Sequence, residues 1–159
     1  MAAKKNKKKR IAILATGWCC EILGQFLRGM TAELADKETD LFLFLCYPLP
    51  VDTEAARQGH LNIFRLPDLH TFDGVVVFTS SINYQDTLDE IFTRCADLRV
   101  PVIVQGMRHD SYYTLTSDNY HAARSMCEHL LDRHDVKDII FFAGSKNSYD
   151  SQVRLQAIR

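Results

Sequence analysis

Short apolar runs alternate with stretches of helical periodicity along this chain, and that alternation restricts the possible folds more than any other sequence feature. Every residue of Ile11–Ala15 and of Leu41–Tyr47 is apolar or aromatic, which is typical of strands buried on both faces of a sheet. Between these runs, apolar residues recur at three-to-four-residue steps from Glu21 to Leu34, as they do in an amphipathic helix. Strand, helix and strand in this order form the unit from which parallel sheets are built.

The rest of the chain repeats this pattern. Further strands are predicted at Gly74–Phe78, Pro101–Val104, Tyr112–Thr116 and Ile139–Ala143, and further helices at Asp52–Asn62, Leu88–Leu98, Asn119–His134 and Ser151–Arg159. The helix at 119–134 is expected to turn inward Ala123, Met126, Cys127, Leu130 and Leu131. Strands that alternate with helices predict right-handed crossovers, and hence an α/β fold with an open, mostly parallel sheet and helices on both faces.

The basic residues are concentrated at the start of the chain. Of the 19 lysines and arginines among 159 residues, six fall within the first ten positions, where there is no acidic residue. The remainder carries 13 basic and 20 acidic residues, a net charge of −7. Phosphate contacts require a basic face, so DNA binding would need the tail or a module outside this chain. Residues 1–10 are predicted to be a disordered, solubilising tail.

The apolar segments and the cysteines predict a cytoplasmic protein that does not enter a membrane. The run Ile11–Ala15 ends at Thr16 and Gly17, whereas a secretion signal needs about 7–15 apolar residues and a membrane span roughly 18. The five cysteines are odd in number and lack C-x-x-C spacing, which fits reduced thiols in a core. Three of them lie inside apolar patterns: Cys46, Cys95 and Cys127. The six histidines lack the paired spacing of a zinc site, so we expect no metal and no cofactor.

The sequence lacks the common catalytic motifs. Gly144-Ser145-Lys146 follows a predicted strand but has neither the order nor the second glycine of the phosphate-binding motif G-x-x-x-x-G-K-S/T. The dinucleotide motif G-x-G-x-x-G and the hydrolase motif G-x-S-x-G do not occur either. A phospho-acceptor receiver domain needs acids after its first and third strands, where this chain has Thr16-Gly17-Trp18 and Thr79-Ser80-Ser81. We therefore expect a binding protein and not an enzyme.

Candidate ligand contacts follow from the geometry of an open parallel sheet, which binds ligands at the carboxyl ends of its strands. Three polar residues follow predicted strands and are placed there by position alone: Thr16, Ser80 and Gln105. Trp18, the only tryptophan, would either stack on a flat or sugar-like ligand or cap the edge of the sheet. Glu21 would either hold a polar ligand or serve the helix dipole as an acid in the first turn. Asp118 precedes a helix, where aspartate is the expected N-cap, and ligand contact is the alternative.

A longer set of segments resembles one protein superfamily. The segments are Phe72–Val77, Val100–Val104, Thr116–Asn119, Ala123-Arg124, Glu128–Leu131, Ile139–Gly144 and Ser151–Arg154. In order and spacing they resemble the effector-binding core of the lactose-repressor and ribose-binding-protein superfamily, which has the periplasmic-binding-protein-like type I fold. The resemblance covers nearly everything after residue 10. It implies two lobes, each with a parallel sheet, around a ligand-binding cleft.

The resemblance also has consequences for the ligand. Arg154 matches the arginine that reaches the ligand from the second lobe, where a guanidinium suits vicinal hydroxyls or a carboxylate; a surface ion pair is the alternative. Cys19-Cys20-Glu21 stands where many relatives carry Ser-Asn-Pro and aromatic residues, and Gln105-Gly106 stands where sugar binders often carry Asp-Arg. We therefore do not expect ribose, galactose or a purine.

The same resemblance implies a division of the chain. Residues 11–137 would form the N-terminal lobe, and residues 138–159 would begin a second lobe that is cut off, so the chain is expected to be a fragment of a larger module. Apolar surface exposed by such a truncation favours association, and a homodimer is expected.

The resemblance finally narrows the function. Asn62-Ile63-Phe64 and Leu66-Pro67-Asp68 are similar to segments of sensor modules fused to bacterial diguanylate cyclases. We expect a small-molecule sensor that couples ligand binding in the cleft to an attached signalling output. The alternative is the effector-binding domain of a lactose-repressor-type transcription regulator whose DNA-binding headpiece lies outside this chain. A secreted solute-binding protein is a third possibility, which the lack of a secretion signal disfavours.

Overall fold

A computed structural model describes residues 8–17, 21–47, 53–82, 84–146 and 148–159. Within these ranges five strands form one sheet: β1 (Lys9–Thr16), β2 (Thr39–Cys46), β3 (Gly74–Phe78), β4 (Val102–Gln105) and β5 (Tyr113–Leu115). The helices in the same ranges are α1 (Glu21–Leu34), α2 (Glu54–Leu61), α3 (Gln85–Ala96), α4 (Asn119–His134) and α5 (Tyr149–Ile158). Short 3₁₀ turns occupy Asn62–Phe64, Leu69–Thr71 and Thr79–Ser81.

The sheet is parallel throughout, in the order β2-β1-β3-β4-β5. The chain places β2 on one side of β1 and the other three strands on its other side, so the strand order reverses between β1 and β3. The register pairs Ile11 with Leu41 and with Gly74. This confirms the predicted α/β architecture, and it puts the carboxyl ends of all five strands along one edge of the sheet.

Helices cover both faces of the sheet. On one face, Leu14 and Val77 pack with Phe64, Leu88 and Ile91, which belong to the 3₁₀ turn after α2 and to α3. The opposite face carries the smaller core that α1 closes. Its members are Ala15, Leu23 and Phe78, with Phe26, Leu27, Leu43 and Leu45 packed around them. The helix predicted at 52–62 is formed over Glu54–Leu61, and two short 3₁₀ turns follow it before β3.

The first strand begins two residues earlier than expected. Lys9 and Arg10, which were assigned to the basic tail, are the first residues of β1. Lys9 donates its backbone N–H to the carbonyl of Glu38 at 2.7 Å. The Arg10 guanidinium lies 4.8 Å from the ring centroids of both Phe42 and Phe72. These cation–π contacts explain why a basic residue belongs to the folded part of the chain.

The region after β5 departs most from the expectations. The boundaries of α4 are as predicted, but only Ala123 and Cys127 of its expected inner face are buried, while Met126 and Leu131 are exposed. The strand predicted at 139–143 is not formed: the segment has no regular secondary structure, and Phe142 is 91% exposed. A strand requires a neighbouring backbone to accept its hydrogen bonds, and no strand of the described ranges pairs with this segment.

The described residues include three of the five cysteines of the chain. Cys46, Cys95 and Cys127 are free and buried, as predicted for core thiols. Within the described ranges no helix is both long and apolar enough to cross a membrane. Within those ranges there is also no cluster of three or more histidine, cysteine or acidic side chains suited to a metal ion.

Candidate functional site

The carboxyl ends of β1 and β3 are joined by hydrogen bonds at the position where the strand order reverses. The Thr16 backbone N–H donates to Ser81 Oγ at 2.9 Å, and the Thr16 hydroxyl donates to the Ser81 carbonyl. Ser81 in turn donates its hydroxyl to the Phe78 carbonyl at 2.8 Å. Thr16 is buried, so its hydroxyl secures the 3₁₀ turn after β3 and does not face an open cleft.

The ends of β3 and β4 are held together in a similar way. The Thr79 hydroxyl donates to the Gln105 carbonyl at 2.7 Å, and the exposed Ser80 hydroxyl donates to Gln105 Oε1 at 2.8 Å. Gly106 follows with a backbone φ of +102°, a conformation that favours glycine. The structure therefore brings together two of the predicted contact residues, Ser80 and Gln105.

The start of α3 forms one side of this region, and α2 holds it in place. Arg57 donates from Nη2 to Asp86 Oδ2 at 3.1 Å, and its guanidinium lies 5.1 Å from the centroid of the Tyr84 ring. The Arg57 hydrogen bond, assisted by the Thr87 N–H, lowers the pKa of the Asp86 carboxyl. These contacts position Gln85 and Leu88 of the first turn of α3.

The start of α5 forms the opposite side. Ser148 caps the helix by accepting the Ser151 N–H at 3.3 Å. Asn119, the first residue of α4, donates from Nδ2 to Asp150 Oδ1 at 2.8 Å and accepts from Arg154 Nε at 2.9 Å. One amide thus links an acid and a base of α5 to α4. Arg154, predicted as a ligand contact, lies on an exposed position and uses one donor in this link.

A cavity of about 580 Å³ lies between these two sides. Its lining combines hydroxyl, amide and carboxylate groups with an apolar base. The lining residues are Thr79, Ser80, Ile82, Gln85, Leu88, Gly106, Met107, Ser145, Ser148, Tyr149 and Asp150. Ile82 and Leu88 are buried core residues, so the polar groups are presented above an apolar floor. This volume lies within the ~300–1,000 Å³ typical of small-molecule sites.

The charge of the lining restricts what the cavity can hold. Asp150 is the one charged residue among the described lining residues, and none of those residues is a lysine or an arginine. Anionic ligands such as carboxylates and phosphates are normally held by basic side chains or helix N-termini. The N-termini of α3 and α5 do border this cavity, but the Asp150 carboxylate in the first turn of α5 repels an anion there. Hydroxyl groups, in contrast, are matched by serine, tyrosine and amide side chains that both donate and accept hydrogen bonds.

Of the predicted contact residues, Ser80 lines the cavity, whereas the described lining does not include Thr16, Glu21, Gln105, Asp118 or Arg154. Glu21 is exposed in the first turn of α1 and accepts a hydrogen bond from Gln25 Nε2 at 3.0 Å. Asp118 is the N-cap of α4 and accepts from the His121 backbone N–H at 3.2 Å. That N–H, and then the His121 imidazole, lower the pKa of the Asp118 carboxyl. The contact of Asp118 confirms the N-cap interpretation, whereas the dipole interpretation of Glu21 stays a prediction. Trp18 lies outside the described residues.

Sequence reasoning missed most of the second side of the cavity. Ser148, Tyr149 and Asp150 precede or begin a helix and belong to no recognised motif, so their position alone carried no signal. Ser145 belongs to Gly144-Ser145-Lys146, which does not match the phosphate-binding motif. The sequence Ser148-Tyr149-Asp150 does have the pattern Ser-x-Asp, which indicates an N-cap at the start of a helix. This pattern could have indicated that backbone N–H groups and a carboxylate lie close together there.

Comparison with known proteins gives a result only at the level of structure. No family model matches the chain, and no curated protein matches it by sequence. Solved structures do match. An ABC transporter solute-binding protein from Clostridium phytofermentans with bound β-D-glucose aligns with a TM-score of 0.69 at 15% identity, over 94% of this chain and 46% of that one.

Two other solved structures extend this similarity. A periplasmic binding protein/LacI transcriptional regulator from Alkaliphilus metalliredigens in complex with D-xylulofuranose aligns with a TM-score of 0.62 at 19% identity, covering 94% of this chain and 50% of that one. A LacI family transcription regulator from Clostridium acetobutylicum aligns with a TM-score of 0.51 at 19% identity, covering 80% and 43%. The chain spans about half the length of these proteins. It therefore has the fold of one lobe of a type I periplasmic binding protein.

Proposed function

We propose that this chain is part of a non-catalytic sensor domain that binds a small molecule at the carboxyl edge of its sheet. The cavity between β3, β4 and the start of α5 carries this proposal, because its polar lining stands above an apolar floor. Parallel α/β sheets bind ligands at this edge, next to the reversal of strand order. In a two-lobe arrangement a second lobe would supply the other wall, and ligand would close the lobes.

The ligand we propose is a small, neutral polyhydroxylated molecule. Ser80, Ser148 and Tyr149 offer hydroxyls, Gln85 offers an amide, and Asp150 accepts hydrogen bonds. The lack of lysine and arginine among the described lining residues argues against an anion. Solved proteins with this fold contain β-D-glucose, D-xylulofuranose and allitol, which supports a polyol or sugar without identifying it. The residues that depart from the usual sugar-binding pattern remain the argument against ribose and galactose.

A chemical-shift titration of the ¹⁵N-labelled chain tests this proposal. Glucose, xylulose and allitol are compared with citrate and inorganic phosphate, and shifts at 79–82, 106–107 and 148–150 are expected only for the neutral compounds. Asp150→Asn and Ser80→Ala should weaken the best ligand several-fold. Ser125→Ala, an exposed serine on α4 outside the cavity lining, is the matched control. Saturable binding of citrate or phosphate at these residues would contradict the proposed ligand class, and no binding of any compound would favour protein–protein signalling.

The signalling output is a separate part of the proposal. We propose that ligand binding biases an attached module such as a diguanylate cyclase, and that the protein acts in the cytoplasm. The second candidate is the effector-binding domain of a transcription regulator, which the similarity to a LacI family regulator supports. Inspection of the full gene separates the two. A downstream cyclase or kinase domain favours the first candidate, whereas an upstream helix-turn-helix favours the second.

We also propose that the chain forms a homodimer through the apolar segment at 139–143. Ile140 and Phe142 are 86% and 91% exposed, and no charged residue interrupts this run. Apolar backbone that no strand of the described ranges pairs favours pairing with an identical segment across a two-fold axis. Sedimentation velocity over a concentration series measures the assembly state and tests this proposal.

A further inference from the structure

The two histidines in the last part of α4 face each other through ring nitrogens. His129 Nε2 and His134 Nε2 are 3.1 Å apart, and the two residues are five positions apart along the helix. Both residues are exposed. The contact as it stands is a hydrogen bond, which requires that one ring carries a proton on Nε2 and the other does not. When the donating ring moves its proton from Nε2 to Nδ1, both Nε2 atoms present a lone pair, and one metal ion can bind both.

The distance between the nitrogens suits a shared metal ion. Nitrogen ligands lie about 2.1 Å from zinc, so two nitrogens 3.1 Å apart subtend roughly 95° at one ion. That angle falls between the right angles of octahedral or square-planar sites and the tetrahedral angle. Bond lengths and this angle together place the ring centroids about 4.8 Å apart when both rings point at the ion. The observed centroid separation is 4.9 Å.

A linear hydrogen bond between the rings would give a different separation. With the two ring axes in line, the centroids would lie about 5.4 Å apart at the same contact distance. The observed 4.9 Å, with 67° between the ring planes, therefore shows that the rings are tilted out of line. Rings tilted toward the same side have the separation that a two-histidine chelate requires.

The surroundings of the pair favour a cation. His134 is the last residue of α4, and the carboxyl end of a helix dipole attracts positive charge. Between Glu128 and Asp138 the chain carries four acidic and two basic residues, a net charge of −2. No described set of three ligands is present, so water would complete the coordination sphere. Such a site differs from the four-ligand structural zinc site against which the histidine spacing argues.

We propose that His129 and His134 bind a divalent transition-metal ion through their Nε2 atoms. The site is distinct from the cavity and does not depend on the proposed function. The ions it would take are those that prefer imidazole, namely Zn²⁺, Ni²⁺ and Cu²⁺, whereas Mn²⁺ would bind more weakly.

Calorimetric titration of the tag-free chain with Ni²⁺, Zn²⁺ and Mn²⁺ salts tests this proposal. The titration uses a Cys19→Ser/Cys20→Ser background, because thiols also bind these ions. Binding of one Ni²⁺ is expected, and His129→Gln and His134→Gln should each weaken it by at least about tenfold, because one ligand cannot chelate. Both side chains are exposed, so these substitutions should leave the circular dichroism spectrum unchanged.

A control and a second measurement localise the ion. His70→Gln removes an exposed histidine elsewhere and should change the affinity by less than about twofold. Paramagnetic Ni²⁺ should broaden the amide resonances of 126–137 before any others. Absence of binding would overturn the proposal, as would binding that survives both substitutions or broadening centred on His121 and Asp118.

Discussion

A β-carbon placed on Gly106 would lie 2.6 Å from the Ser80 Cβ and 2.8 Å from the Ser80 backbone nitrogen. The ends of β3 and β4 approach this closely because residue 106 has no side chain. The φ of +102° at the same residue is a second requirement for glycine. Since Gly106 and Ser80 both line the cavity, the shape of its lining at the ends of β3 and β4 depends on this one backbone contact.

Gly106→Ala should lower the free energy of unfolding by about 2–4 kcal/mol, because it combines an unfavourable φ with a backbone clash. Urea denaturation measures the change. Gly29→Ala is the matched control: Gly29 lies exposed in α1, and nothing lies within 4 Å of its β-carbon position. That substitution should raise stability by about 0.5–1 kcal/mol through helix propensity. Equal effects of the two substitutions would show that position 106 tolerates a side chain.

Thr16→Val should destabilise the chain by about 1 kcal/mol, because it removes the hydroxyl that bonds to the Ser81 carbonyl while keeping a similar shape. The resonances of 79–82 should also shift, since this hydroxyl holds the turn after β3. Thr31→Val provides the comparison. Thr31 donates its hydroxyl to the Leu27 carbonyl on exposed α1, and its loss should cost less than about 0.5 kcal/mol. The same shifts in both variants would contradict the role assigned to Thr16.

Local sequence patterns were sufficient to predict those elements whose boundaries depend on neighbouring residues in the chain. The boundaries of β3 and α4 coincide with those predicted, because an apolar run between turn residues and an Asp N-cap are read from neighbours in the chain. The prediction of a strand at 139–143 was wrong because strand formation does not depend on the residues of the segment alone. Its apolar run indicates burial, but a strand forms only beside a partner, and pairing is a property of the assembled sheet.

In the candidate site, too, the positions of residues along the chain were predictable, whereas the directions of their side chains were not. The predicted parallel sheet placed the ends of β3 and β4 side by side. Ser80 and Gln105 follow these strands and are hydrogen-bonded to each other. The direction in which a side chain bonds is a tertiary property, and for this reason Thr16 turned out to be buried against Ser81. Asn119 was predicted as the first residue of a helix, without a side-chain partner. Its link to Asp150 depends on how α4 and α5 meet, which no periodicity reveals.

Raising the pH should weaken the fold through Cys95. Cys95 is 1% exposed, and burial raises the pKa of its thiol from 9.0 to about 11. A raised thiol pKa means that the folded state holds the proton more tightly, so its stabilising contribution is complete below pH 9 and is lost as the pH rises towards 11. Between about pH 8 and pH 10.5 the loss should be about 1–2 kcal/mol.

Urea denaturation at the two pH values, under reducing conditions, measures this loss. Cys95→Ala should show a smaller drop than the wild type, although its stability at pH 8 is lower because of the cavity it creates. Val104→Ala, which also truncates a fully buried side chain, should keep the wild-type drop. An unchanged pH dependence in Cys95→Ala would assign the effect to other groups.

Asn119→Ala should loosen α5 from α4, because it removes both the hydrogen bond to Asp150 and the one from Arg154. Amide hydrogen exchange of 149–158 should become at least about fivefold faster, equivalent to roughly 1 kcal/mol of local stability. Exchange in α1 should not change. Arg124→Ala removes the exposed pair with Glu128 on the same helix and should leave α5 unaffected. Acceleration spread over the whole chain would indicate global destabilisation instead.

The double substitution Ile140→Ser/Phe142→Ser should convert the proposed homodimer to a monomer. Both side chains are almost fully exposed within the chain, so they contribute to association and little to the packing of one copy. The free energy of unfolding of the monomer should therefore stay within about 0.5 kcal/mol of the wild type. Sedimentation velocity over a concentration series measures the assembly state. Leu66→Ser, which replaces a 72% exposed leucine just after the 3₁₀ turn at Asn62–Phe64, should leave the dimer intact. A wild-type chain that stays monomeric throughout the series would refute this assembly, and so would a Leu66→Ser variant that dissociates as the double variant does.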